Sequence, residues 1–165
     1  HESEASLKEL ISEHNTELEE RKVQILSSIQ SSINSRIREI VDFIYSPQRK
    51  APVLTLAPHS YTYEVVRDTG TGTAFSSLVI FDIALLETTQ LPFVIHDSHL
   101  FANIEDDALA NLLSRYDSEN KQCFIAFDAL KKFAANSQAI VHKNKVLQLD
   151  DENLLYVKDW RKANK

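Results

Sequence analysis

Glycine occurs only twice in these 165 residues, cysteine once and methionine not at all. Each shortage excludes something. With one cysteine no internal disulfide can form, which points to a reducing, cytoplasmic setting. That thiol, Cys123, lies in the strand-like run Gln122-Cys123-Phe124-Ile125-Ala126-Phe127 and reads as a packing residue, not a nucleophile. Without methionine there is no start codon, so the chain reads as an excerpt of a longer protein. No apolar stretch reaches the roughly 20 residues of a membrane-spanning helix, so no membrane partner is expected, and no secretory leader is visible. Positive charge is short as well. A net charge of −6 gives no overall basic field for nucleic acid. The balance is uneven, acidic over residues 47–130 and basic over 131–165. Lys131, Lys132, Lys143 and Lys145 could touch DNA, but so few charges read more readily as a solvated surface.

Hydrophobic residues make up 43% of the chain, enough for a real core. Residues 4–45 contain neither glycine nor proline. Val23, Leu26, Gln30, Ile33, Ile37, Ile40 and Ile44 alternate in steps of three and four, the seam of a coiled coil with one polar insertion at Gln30. Leu7, Ile11, His14 and Leu18 form a second stripe out of register with the first. Periodicity fixes the apolar face of such a helix but not its partner, which is either a second helix or the chain's own domain. Pro47 and Pro52 end it. The expected organisation is a coiled-coil arm over residues 1–46 and an α/β lobe over 47–165.

Within the lobe, strands are expected at Val53–Leu56 and Tyr61–Val66, around a turn at Pro58-His59-Ser60. Helices are expected over 74–88, 105–117 and, briefly, Ala129–Ala135. Apolar strands follow at 91–96 and 122–127, as for a sheet covered on both faces. Ala139–Val141 and Val146–Leu149 read as a hairpin, and Leu154–Val157 as a last strand. Asp82, inside the apolar helix, would be costly if buried unpaired.

Two places carry chemistry. Both glycines fall in Gly70-Thr71-Gly72-Thr73, just ahead of a helix. Glycine lets backbone approach a ligand or adopt φ > 0, and a helix N-terminus favours anions. The second place is Phe93-Val94-Ile95-His96-Asp97-Ser98-His99, an apolar strand ending on an acid flanked by histidines. In open α/β sheets ligands bind at the carboxyl ends of strands. A single carboxylate there suffices for Mg²⁺, which keeps most of its waters. A transition metal on His96, Asp97 and His99, with Asp128 or His59 as a further ligand, would make a metal-dependent hydrolase instead. However, His96 and Asp97 point to opposite faces of a strand. Ser98 lacks the Gly-x-Ser-x-Gly turn of an esterase nucleophile. No Gly-x-x-x-x-Gly-Lys-Ser/Thr loop exists in the chain.

Over residues 61–130 the chain resembles the C-terminal half of an ATPase head from the SMC-like, DNA-repair branch of the ABC superfamily. It is most similar to an uncharacterised bacterial SMC-like family with a Phe-Asp-x-Ala-Leu-Leu helix and a His-Asp-Ser-His-Leu-Phe strand end, matched here by Phe81–Leu86 and His96–Phe101. The resemblance implies the C-terminal lobe of an ABC/SMC-type head with ATP and Mg²⁺ as cofactors. Its partners would be the N-terminal half of the same head, a second head in a homodimer, and DNA in repair or defence.

By the same resemblance Asp97 is the Walker B acid that holds Mg²⁺. Gly70–Ser77 take the signature-loop place, with Gly70, Thr71, Gly72 and Thr73 meeting the partner's γ-phosphate, and Ala102–Asp106 the D-loop. The strand 124–128 would be the switch strand, with Phe127 near the usual histidine position. Ser98 stands where a catalytic glutamate is usual. A hydroxyl is a poor base, so His99 or His96 would position the attacking water. A lobe without a Walker A loop should bind ATP poorly alone and leave one sheet flank apolar and uncovered. The other class considered, a self-sufficient coiled-coil interaction module without chemistry, should be polar all round.

Overall fold

In the computed structural model the described residues are 2–45, 49–65, 70–128, 130–150 and 152–156. The stretch without glycine or proline becomes one helix, α1 (Glu2–Ile44), of 43 residues, about 65 Å long at 1.5 Å per residue. Its halves behave differently. Upstream, Leu7, Ile11, Leu18 and Val23 are exposed. Downstream, Ile33, Ile37, Ile40, Val41 and Ile44 are buried in the main core. The lower half of the seam therefore packs on its own domain.

The polar insertion also has a local explanation. Gln30 Oε1 accepts from Leu56 N at 2.7 Å, and Asn34 makes two bonds of 2.8 Å to the backbone of Leu54. Helix side chains thus satisfy the open edge of β1 (Val53–Ala57), which pairs antiparallel with β2 (Ser60–Glu64), Leu54 opposite Tyr63. An edge strand left unpaired would invite aggregation.

Helix α2 (Thr71–Thr88) runs through the centre and buries Val79, Ile80, Ile83, Ala84 and Leu86. Strand β3 (Phe93–Asp97) follows, then a 3₁₀ turn (Ser98–Phe101), helix α3 (Asp106–Asp117) and strand β4 (Gln122–Ala126). β3 and β4 are parallel, Ile95 beside Phe124 and Asp97 beside Ala126. Glu87, near the end of α2, ties three helices together. Arg115 of α3 donates to its two oxygens at 2.8 and 2.7 Å. Arg36 Nε of α1 lies 3.2 Å away, too misaligned for a hydrogen bond and so an ion pair only. Burial, and then the neighbouring Glu87 carboxylate, raise the pKa of Glu119.

Four expectations are corrected. The β3–β4 sheet is covered on one face only: Phe93 is 46% exposed, Ile95 69% and Phe124 44%. No hairpin forms at 139–149, because residues Ala135–Asn144 form helix α4, preceded by a 3₁₀ turn at Leu130–Lys132 instead of a helix over 129–135. Asp117 holds the end of α4 through Lys143 and Asn144, at 2.7 and 2.8 Å. Residues 154–156 are not strand, and Val66, at the end of the expected strand from Tyr61, lies outside the described residues, as do Ala129 and Val157. No helix among the described residues is long and apolar enough to cross a membrane.

A candidate nucleotide-facing edge

Alternation along β3 sorts its residues. Val94 and His96 face the helices, while Phe93, Ile95 and Asp97 face outward. Phe93 meets Phe124 edge-on at 6.0 Å on that outer face. Asp97 is exposed at the strand's carboxyl end. Its Oδ1 accepts from His99 N at 2.9 Å and caps the 3₁₀ turn. The cap turns the chain so that Ser98 is buried and His99 exposed. Among the described residues Asp97 Oδ2 accepts no hydrogen bond, which leaves it able to hold a metal-bound water.

His96 is 4% exposed and fully engaged. Nδ1 lies 2.6 Å from Tyr116 Oη and Nε2 2.9 Å from Asp82 Oδ2. Burial raises the Tyr116 phenol well above its ordinary pKa. The Asp82 carboxylate can only accept, so Nε2 carries a hydrogen and donates to it. His96 is thus buried with both ring nitrogens engaged, on the opposite face of β3 from Asp97. The same contact shows what pairs with Asp82, the acid that looked out of place in an apolar helix. His96 links α2, β3 and α3 through one polar chain.

Ser98 Oγ donates to Asp128 Oδ1 at 2.9 Å and accepts from Asp128 N at 3.4 Å. This contact across 30 positions was not legible in the sequence. Phe127, near the expected switch position, stacks on buried Phe101 at 5.6 Å and so anchors the chain just before Asp128. The His99 ring meets Phe75, in the first turns of α2, edge-on at 5.8 Å. The acid strand and the glycine-containing turn therefore end on the same side.

Gly70 precedes α2 with φ −65° and ψ 137°, ordinary extended backbone, so no left-handed conformation demands glycine there. Thr71 and Gly72 open the helix. Thr73 Oγ1 accepts from Arg49 Nη2 at 3.4 Å. Arg49 stacks on Tyr45 at 4.0 Å and lies 3.8 Å from Glu105 in the expected D-loop. Nothing in the local sequence pattern marks Arg49 as a site residue except its place just beyond the arm helix. No group of three potential metal ligands occurs among the described residues. His96 and Asp97 lie on opposite faces, and His59 sits in the β1–β2 turn.

The arrangement of these elements is shared, at the level of fold, with a solved structure of an SMC ATPase. That structure, described as "Structural biochemistry of ATP-driven dimerization and DNA stimulated activation of SMC ATPases", matches with a TM-score of 0.52 at 12% identity, covering 71% of this chain and 76% of the other. Residues 40–159 match the family described as "Uncharacterised protein conserved in bacteria (DUF2326)", and the chain belongs to that family. No curated protein matches it.

Proposed function

We propose that residues 47–165 are the C-terminal lobe of an SMC-like ATPase head and residues 1–46 the end of its coiled-coil arm. The lobe supplies a Walker B acid, a signature-like turn and a D-loop. An N-terminal lobe elsewhere in a longer protein supplies the Walker A loop. Two such heads close on ATP and Mg²⁺ in a DNA-linked process of repair or defence, in the cytoplasm. One observation carries this reading: Asp97 ends a strand whose outer face is apolar and uncovered. A domain sufficient in itself would bury that face. The donor set suits magnesium, with one carboxylate oxygen open to a metal-bound water. Gly70, Thr71, Gly72 and Thr73 present the amide end of α2 to a partner's phosphate, with His99 against Phe75 of the same helix.

Magnesium-dependent ATP turnover by the full-length protein tests this. Asp97→Asn should abolish turnover while the circular dichroism spectrum is unchanged. Unchanged turnover in that variant would overturn the metal assignment.

A further inference from the structure

Hydrolysing a phosphoanhydride requires a group that orients a water and takes its proton as the new bond forms. Most side chains at this edge are already committed. Asp97 caps the 3₁₀ turn with one oxygen. His96 is buried with both ring nitrogens engaged. The Ser98 hydroxyl is buried and directs its hydrogen at Asp128.

Asp128 remains. It is exposed, and it follows β4 two residues after Ala126, the partner of Asp97. Two residues span at most about 7 Å. Its carboxylate is held by a buried hydroxyl at 2.9 Å, and Phe127, stacked on Phe101, anchors the preceding residue. Among the described residues its Oδ2 accepts no hydrogen bond. His99 is exposed and oriented only by the ring of Phe75 among the described residues. A carboxylate on a locked support is the better-aimed group.

We infer that Asp128 is the proton acceptor for the attacking water, and that Ser98 is a positioning residue that aims it. The inference rests on the ATPase reading above. The water oxygen forms a bond to the γ-phosphorus, and the bond from that phosphorus to the bridging oxygen breaks. ADP leaves with the electron pair. One water proton passes to Asp128 and on to solvent, and the other stays on the released phosphate.

The test uses the full-length protein with ATP and Mg²⁺, following steady-state turnover and, by light scattering, ATP-dependent association of heads. Asp128→Asn should lower kcat by about 10²–10⁴-fold, with KM within about threefold. Its ATP-held dimer should outlast that of the unaltered protein, because the ATP that holds it is no longer consumed. Asp128→Glu should restore part of the rate. Ser98→Ala should lower kcat by about tenfold through misaiming alone.

The inference falls if Asp128→Asn keeps kcat within about threefold, or if it loses ATP-dependent association together with turnover. It also falls if His99→Ala, and not Asp128→Asn, gives the slow, long-lived dimer. If Asp97→Asn is inactive while Asp128→Asn turns over normally, only this inference fails. If Asp97→Asn turns over normally, or the unaltered protein shows no turnover, the ATPase reading fails with it.

Discussion

The uncovered face of the β3–β4 sheet gives a prediction that separates a lobe from a complete domain. Phe93 and Ile95 lie on that face, 46% and 69% exposed. Fully burying such a side chain contributes about 1.5–3 kcal/mol. Scaled by the surface still open, the two would add about 2–3 kcal/mol when another lobe covers them. Replacing both with threonine keeps β-branched residues suited to a strand. The double variant should melt only a few degrees below the unaltered chain, for the part of Phe93 and Ile95 that the chain itself already covers. Its affinity for a separately prepared N-terminal lobe should fall about 30- to 150-fold, the equivalent of that 2–3 kcal/mol. Differential scanning calorimetry measures the first quantity and isothermal titration the second. The reasoning fails if the isolated chain loses as much stability as the complex, or if association is unaffected.

Other substitutions test the internal supports. Glu87→Ala would leave Arg115, and with it Arg36, without their shared carboxylate, and should cost about 3 kcal/mol in urea unfolding. Asn34→Ala would strip both bonds from the backbone of Leu54 and should cost about 1–3 kcal/mol, since a buried edge is left unsatisfied. Burial pushes the Cys123 thiol up to about 11, from 9.0. Only the thiolate reacts, so alkylation at pH 8 should be about a hundredfold slower than for an unperturbed thiol and should rise with pH towards 11. Labelling at the ordinary thiol rate would contradict this.

Local pattern revealed what depends on local pattern. The lack of glycine and proline marked α1, and Pro58-His59 marked the turn between β1 and β2. An apolar run closing on Asp97 marked β3 and its end. Contacts distant in the chain were hidden. The seam of α1 predicted an apolar face, yet Ile37 and Ile40 bury that face on the chain's own core. Gln30 read as a flaw in a coil, but it satisfies the edge of β1. Ala139-Ile140-Val141 has strand-like composition. As part of α4, however, Ile140 and Val141 pack on the core while Asp117 clasps the helix end, and tertiary contacts override propensity. At the candidate edge, the alternation of His96 and Asp97 was readable, but the buried partners of His96 and the bond from Ser98 to Asp128 were not. Glycine at position 70 permits a close backbone approach or a positive φ, and its extended φ removes the second reason only.

The decisive measurement is ATP turnover from two separately purified pieces, this chain and an N-terminal lobe carrying the Walker A loop. Mixed with Mg²⁺, they should hydrolyse ATP at a rate that saturates as either piece is titrated against the other, while each alone stays at background. Tight ATP binding or turnover by this chain alone, or an inert mixture of correctly folded pieces, would contradict the idea that half of a catalytic head is encoded here.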